Sequence, residues 1–161
     1  LAPAVDDSPG TRLVGGVKNV LDITLAAVVV VLTAPLGLVA AALIKLTSRG
    51  PAVYAQARVG LNGRVFTLYK LRTMYHDCEA VSGVRWATRS DPRVTPVGRF
   101  LRCTHLDELP QLWNVLRGEM SLVGPRPERP EVIAGKGLAD EVPGYALRTL
   151  VRPGVTGLAQ V

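Results

Sequence analysis

Cysteine is nearly absent from the 161 residues. Only Cys78 and Cys103 occur, and they form neither a disulfide framework nor a metal-ligand spacing. That excludes a disulfide-stapled secreted module and a zinc ribbon, and it points to a reducing cytoplasm. No Walker loop, HExxH motif or glycine-rich dinucleotide fingerprint is present. Aromatic residues amount to 5%, and none forms the interleaved platform that stacks nucleic-acid bases. Acidic side chains are in deficit: 13 Asp and Glu against 19 Lys and Arg leave a net charge of +6, which suits polyanionic partners such as nucleic acid, anionic lipid or phosphorylated substrates. The length supports one domain and excludes a second full one. The chain begins at Leu1 rather than Met and is expected to be a segment of a longer one.

One long apolar run is present. From Ile23 to Ile44 there are 22 residues without a charge. As a helix the run is about 33 Å long, enough for a hydrocarbon core of roughly 30 Å. It is longer than a usual signal-peptide core and lacks an obvious cleavage site. A buried core helix is the other competitor, and it must explain the missing polar face. Pro35 in the middle, with Gly37 beside it, predicts a break, and Thr33 offers a hydroxyl for backbone groups freed there. Arg12 and Lys18 before the run and Lys45 and Arg49 after it place both ends on the cytoplasmic face, which a straight span does not satisfy. The expectation is therefore a re-entrant membrane helix over 18–48, bent at Pro35, with an N-terminal tail over 1–17 and a cytoplasmic domain over 49–161. Between Lys45 and Arg72 lie six basic residues and no acid, a cluster that reads as attraction to anionic head groups.

The remainder predicts a small α+β domain. Two apolar-alternating segments flank Asn62-Gly63, a pair suited to the positive φ of a tight hairpin. The exit strand is expected to deliver Lys70 and Arg72 on one face. A short helix is expected over Tyr75–Ala80. Thr95-Pro96 reads as a cap and first turn of a helix through Cys103, with Arg99 and Arg102 sharing a face. A second helix is expected from Glu108 to Leu116, capped by Asp107 and ended by Gly118. The segment from Ser121 to Glu131 is too proline-rich for regular structure, and Arg126 between Pro125 and Pro127 is held on a stiff extended backbone. Arg152-Pro153-Gly154 predicts a type II turn.

Lys70, Arg72, Arg99, Arg102 and Arg126 with the Asp107–Glu108 pair are what phosphoryl transfer from a diphosphate requires. Cations neutralise phosphate oxygens, a divalent ion bridges them, and an ionised carboxylate attacks phosphorus. The helix dipole at Asp107 is expected to keep it ionised. By spacing alone, Asp107 reads equally well as a cap, and the whole chain as a membrane-tethered basic adaptor or nucleic-acid-binding module without catalysis.

The strings YKLRTM (Tyr69 to Met74), LDELPQLWNVLRGEMSLVGPRP (Leu106 to Pro127) and RPGVTGLAQV (Arg152 to Val161), after an apolar hairpin, resemble the bacterial sugar transferase family, the monotopic phosphoglycosyl transferases. The likeness covers nearly everything from Lys18 onward. It implies transfer of a sugar 1-phosphate from a UDP-sugar donor to a polyprenol phosphate such as undecaprenyl phosphate, with release of UMP, Mg²⁺ as cofactor and initiation of a surface glycan. The implied place is the inner membrane of a bacterial cell, with the catalytic domain facing the cytoplasm and an anionic bilayer, not nucleic acid, as surroundings; homo-oligomer formation is left open. Asp107 matches the aspartate that forms a covalent phosphosugar, and Glu108 its partner at the metal site. Arg102 and Arg126 match arginines around the phosphates and nucleotide, Lys70 and Arg72 the basic strand motif, and Arg152 the late RPG motif. Three departures stand out. Ala34-Pro35 replaces the usual Ser-Pro at the membrane bend, His105 replaces a small hydroxyl residue, and family members usually continue several tens of residues beyond Val161.

Overall fold

The computed structural model describes residues 9–78, 88, 91–135 and 141–157, and of residues 9–14 the backbone alone. Its first element is a single helix, α1 (Pro9–Thr47), which starts ahead of the boundary expected at Lys18. The expected break at Pro35 does not interrupt it. A proline removes one backbone bond, here the one to the Val31 carbonyl, and the bonds on either side keep the turns in place. Thr33 does not serve that orphan: its hydroxyl donates to the Val29 carbonyl at 2.7 Å. Val31, Leu32 and Leu38 are 72–74% exposed, so the middle of the run is no core helix.

Two antiparallel strands follow, β1 (Val53–Val59) and β2 (Val65–Leu71), paired from Val53↔Leu71 to Val59↔Val65. Their connection is a 3₁₀ turn, Leu61–Gly63, in which Asn62 at φ +54° and Gly63 at φ +73° are the two left-handed residues that the dipeptide predicts. The helix expected over 75–80 does not start at Tyr75: residues 76–77 form a turn, with Asp77 at φ +56°, and Cys78 is helical; residues 79–80 lie outside the described ones. Helix α2 (Pro96–Cys103) forms as its cap dictates, with Thr95 Oγ1 accepting from the Gly98 amide at 2.9 Å. Helix α3 (Gln111–Leu116) is shorter than expected and ends before Gly118, at φ +72°. The Ser121–Glu131 segment is more regular than its prolines suggest. Ser121–Val123 is a strand, β3, and Pro130 opens helix α4 (Pro130–Gly135), where a first-turn proline loses no bond. β3 pairs in parallel with β4 (Gly154–Thr156). That ladder replaces the predicted type II turn: Gly154 lacks the positive φ such a turn needs, and a Cβ there would stand 2.0 Å from the Gly124 nitrogen.

The core has two parts, and α1 contributes to both. Ala26 and Val30 pack with Leu68, Leu112, Val115 and Met120, while Ala40, Ala41 and Ile44 pack with Leu71, Leu101 and Leu106. Each fully enclosed Leu or Ile contributes about 1.5–3 kcal/mol. Polar contacts fasten both ends. Near the start, Asp22 accepts from Ser121 Oγ at 2.7 Å and pairs with Lys18, while Asn19 accepts from Arg152. At the far end, Arg72 donates to the Ser48 and Arg49 carbonyls. The two ends of the apolar helix therefore rest on the same body.

The approach of α2 to the strand exit is close. Thr95 N donates to the Thr73 carbonyl at 3.0 Å, and a Cβ on Gly98 would lie 2.0 Å from that same oxygen. Gly98→Ala is expected to lower the unfolding free energy by about 1–3 kcal/mol or more, since backbone must move. Gly135→Ala, whose added methyl meets open space, is expected to stay within about 0.5 kcal/mol of the parent. Urea denaturation of the detergent-solubilised chain compares the two.

Candidate active site

The site begins where α2 stops. His105, at φ +56°, reverses the chain, and Leu106–Glu108 forms a 3₁₀ turn closed by the Glu108 amide on the His105 carbonyl at 3.1 Å. Asp107 is consequently not the cap of a helix, contrary to expectation, because α3 starts only at Gln111, after Pro110. The helix-dipole account of its ionisation falls with it. Asp107 is 8% exposed, and burial pushes its carboxyl above the ordinary range; Lys70 and Arg102 pull it back, and Glu108 pushes it further up. Glu108 Oε1 receives Lys70 Nζ at 2.5 Å, with both side chains about one-fifth exposed.

Each cation beside Asp107 is itself held. Arg102 Nε donates to Thr73 Oγ1 at 2.8 Å. Lys70 stands on β2, whose backbone is gripped by the fully buried Asn114: its amide nitrogen donates to the Thr67 carbonyl at 2.7 Å, and its oxygen accepts from the Tyr69 amide at 3.2 Å. Strand and α3 are thus locked on either side of the acid pair.

Lys70 and Glu108 line a cleft with Arg58, Gln111, Arg126 and Pro127. Arg126 enters from the extended segment after β3, and successive carbonyls of that segment are pinned. Gly154 N donates to Pro125 O at 3.0 Å, Arg148 to Arg126 O at 3.0 Å, Arg58 to Pro127 O at 2.8 Å, and Val59 N to Glu128 O at 3.0 Å. The prolines restrict φ and these bonds fix the rest, so the loop is rigid without regular structure. Burial pushes the Arg58 pKa down, and the guanidiniums of Arg129 and Arg126 add to this, with Glu128 opposing. The like charges gathered here make an anion-seeking wall opposite the acid pair.

Of the residues singled out from the sequence, Asp107, Glu108, Lys70 and Arg102 are brought together, and Arg126 shares a cleft with Lys70 and Glu108. Arg72 is not: β2 ends at Leu71, and the buried guanidinium ties the strand exit to Ser48 and Arg49. Arg152 engages Asn19 of α1, Arg99 is exposed on α2, and Pro35 lies inside α1. The basic stretch from Lys45 to Arg72 is divided in use. Lys45, Arg49 and Arg64 are exposed, whereas Arg58, Lys70 and Arg72 turn inward to carbonyls or to Glu108. Two cleft residues escaped the sequence reading. Arg58 was submerged in that basic stretch, and Gln111 is neutral; its one signal was a polar residue on the helix face shared with Val115.

Known proteins resemble the chain over most of its length. A family model described as "Bacterial sugar transferase" matches residues 13–161. The chain is 54% identical over 144 residues to a UDP-glucose:undecaprenyl-phosphate glucose-1-phosphate transferase of Caulobacter vibrioides, covering 89% of this chain and 53% of that protein. It is 48% identical over 145 residues to an undecaprenyl-phosphate glucose phosphotransferase of Komagataeibacter xylinus, covering 89% and 27%. With exopolysaccharide production protein PSS of Rhizobium leguminosarum the identity is 46% over 145 residues, covering 89% and 72%. The chain thus spans about a quarter to a half of the first two relatives and most of the third. With a match over nearly its whole length, carrying the buried acid pair and the pinned arginine loop, the chain belongs to the bacterial sugar transferase family.

Proposed function

We propose that the chain transfers a sugar 1-phosphate from a UDP-sugar to undecaprenyl phosphate at the cytoplasmic face of the bacterial inner membrane, initiating a surface glycan. The observation that carries this reading is the Asp107 carboxylate, 8% exposed between Lys70 and Arg102 and beside Glu108. An Oδ atom of Asp107 attacks the phosphorus that bears the sugar, and the bond from that phosphorus to the bridging oxygen breaks. UMP leaves with the electron pair, and an aspartyl phosphosugar forms. A phosphate oxygen of undecaprenyl phosphate then attacks the same phosphorus and frees the carboxylate, giving undecaprenyl diphosphate sugar. Burial strips water from Asp107, which favours attack, and Lys70, Arg126 and Arg58 balance the diphosphate charge. The relatives' names support the acceptor and, for Caulobacter, a UDP-glucose donor.

Among the described residues no group of three or more His, Cys, Asp or Glu side chains could hold a metal. Asp107 and Glu108 alone fit Mg²⁺, which usually takes one or two carboxylates and completes its shell with water and substrate phosphates. When bound, the ion supplies charge neutralisation at the phosphates.

The membrane part of the proposal is a helix that enters and leaves by one leaflet. Docking of residues 19–30 and 40–49 on the same body supports it, as do the basic residues flanking the run, because a straight crossing would part the two ends by the bilayer thickness. Gly16→Cys and Thr47→Cys, each in a background lacking Cys78 and Cys103, are expected to react with an impermeant maleimide from the same side of sealed vesicles. Labelling from opposite sides overturns the re-entrant path.

Asp107→Asn is expected to lower UMP release from UDP-glucose at least about a thousandfold while the protein still floats with liposomes; near-normal release refutes the covalent route. The same variant reads the buried charge. Because the folded carboxyl binds its proton more tightly than an ordinary one, the contribution of Asp107 to stability is complete below the ordinary carboxylate range and is lost as pH rises through the raised value. Without divalent ions, Asp107→Asn is therefore expected to be more stable than the parent at pH 7, with the gap closing toward pH 4 in urea titrations.

A further inference from the structure

Gln111 is 3% exposed and lines the cleft shared by Lys70, Glu108 and Arg126, yet its side-chain amide makes no hydrogen bond among the described residues. An amide that bonds nothing in the fold adds no hydrogen bond to its stability, and a methionine of similar size would fill the space equally well. Its neighbour Asn114, on the same helix and equally enclosed, has its amide nitrogen and oxygen both bonded. The contrast separates a structural amide from one kept free. Arg58 Nε, from a residue lining the same cleft, is buried without an acceptor, as is Arg72 Nε at the strand exit, so an enclosed Nε alone marks no site. The cleft therefore offers the unanswered amide N–H groups of Gln111 next to Lys70 and Arg126, and the group that answers such donors among cations is an oxyanion with several oxygens.

Resting on the proposed function, we infer that Gln111 is a substrate-binding residue whose amide N–H donates to a phosphate oxygen. Two substrates carry that chemistry, the diphosphate of the nucleotide sugar and the phosphate of the lipid acceptor. The side chain adds no charge, so it contributes direction where the cations contribute attraction: the amide fixes one oxygen in place, and the cations neutralise all of them.

The test uses the chain in nanodiscs with UDP-glucose and undecaprenyl phosphate, comparing the parent with Gln111→Met, which keeps volume and removes the donor, and Gln111→Glu, which keeps shape and adds a negative charge. Gln111→Met is expected to raise KM for one substrate at least about tenfold with kcat changed much less, and Gln111→Glu to lower kcat/KM further. A rise confined to UDP-glucose, matched by weaker UMP binding in calorimetry without acceptor, puts the contact on the donor; a rise confined to undecaprenyl phosphate puts it on the lipid. Unchanged KM for both in Gln111→Met overturns the inference, as does a loss of activity that follows the urea midpoint downward with KM unmoved, the mark of a packing role. Should the parent itself release no UMP from UDP-glucose while binding UMP more tightly than Gln111→Met, the reaction assigned above fails and the contact stands.

Discussion

Burial of the Asp107 carboxylate is the constraint around which the domain is arranged. An ionised carboxylate taken from water is destabilised by several kcal/mol unless cations and hydrogen bonds compensate, and a second carboxylate next door makes matters worse. Lys70 and Arg102 meet part of that demand, and they come from different elements. Lys70 can serve only if β2 lies in fixed register against α3, which Asn114 secures by bonding the strand on either side of Leu68. Arg102 can serve only if α2 lies against the strand exit, which Thr95, Gly98 and Thr73 secure. Packing is thus subordinate to charge here: the helices sit where the cations are needed.

The apolar helix obeys a second constraint. Its small residues Ala26 and Ala40 let it approach the body closely in two places, and a polar fastening lies outside each: Lys18–Asp22–Ser121 at one end and Ser48–Arg72 at the other. Between them, large apolar side chains face outward. A soluble protein has no use for such a surface, whereas lipid covers it without further structure. Arg72, which a reading by charge alone assigns to substrate, is better understood through this second role.

Local signals carried far in the sequence and long-range ones did not. The Asn62-Gly63 turn, the Thr95-Pro96 cap and the Gly118 stop each depend on one or two residues and their own backbone, and each was legible. The type II turn at Arg152-Pro153-Gly154 was equally plausible locally; it lost to a parallel pairing with residues some thirty positions earlier, which no local pattern announces. Asp107 looked like a helix cap because a carboxylate followed by Glu and Pro suits a first turn, but the left-handed His105 and the 3₁₀ turn moved the helix start three residues on. The acid pair and three of the cations near it, Lys70, Arg102 and Arg126, were singled out from residue type. Arg58 and Gln111 were not, since one was counted with a membrane-facing cluster and the other carries no charge to notice.

The pinned loop and the docked helix answer the same difficulty, which is that the two proposed substrates come from different phases. On the proposed reaction a nucleotide sugar would arrive from water and a polyprenol phosphate from the bilayer, so the reacting carboxylate would have to lie near the lipid boundary while remaining shielded from solvent. Four consecutive carbonyls from Pro125 to Glu128 are bonded to β1, to Gly154 and to Arg148, which leaves Arg126 little freedom. Cations fixed before substrate arrives need no reorganisation when charge shifts during transfer. Helix α1, fastened on both sides of its exposed middle, would hold that preset cleft at a constant depth against the membrane. Rigidity in the loop and attachment at both helix ends are therefore one design, since a cleft that drifted relative to the lipid surface would lose the acceptor, and a loop that drifted relative to Asp107 would lose the donor.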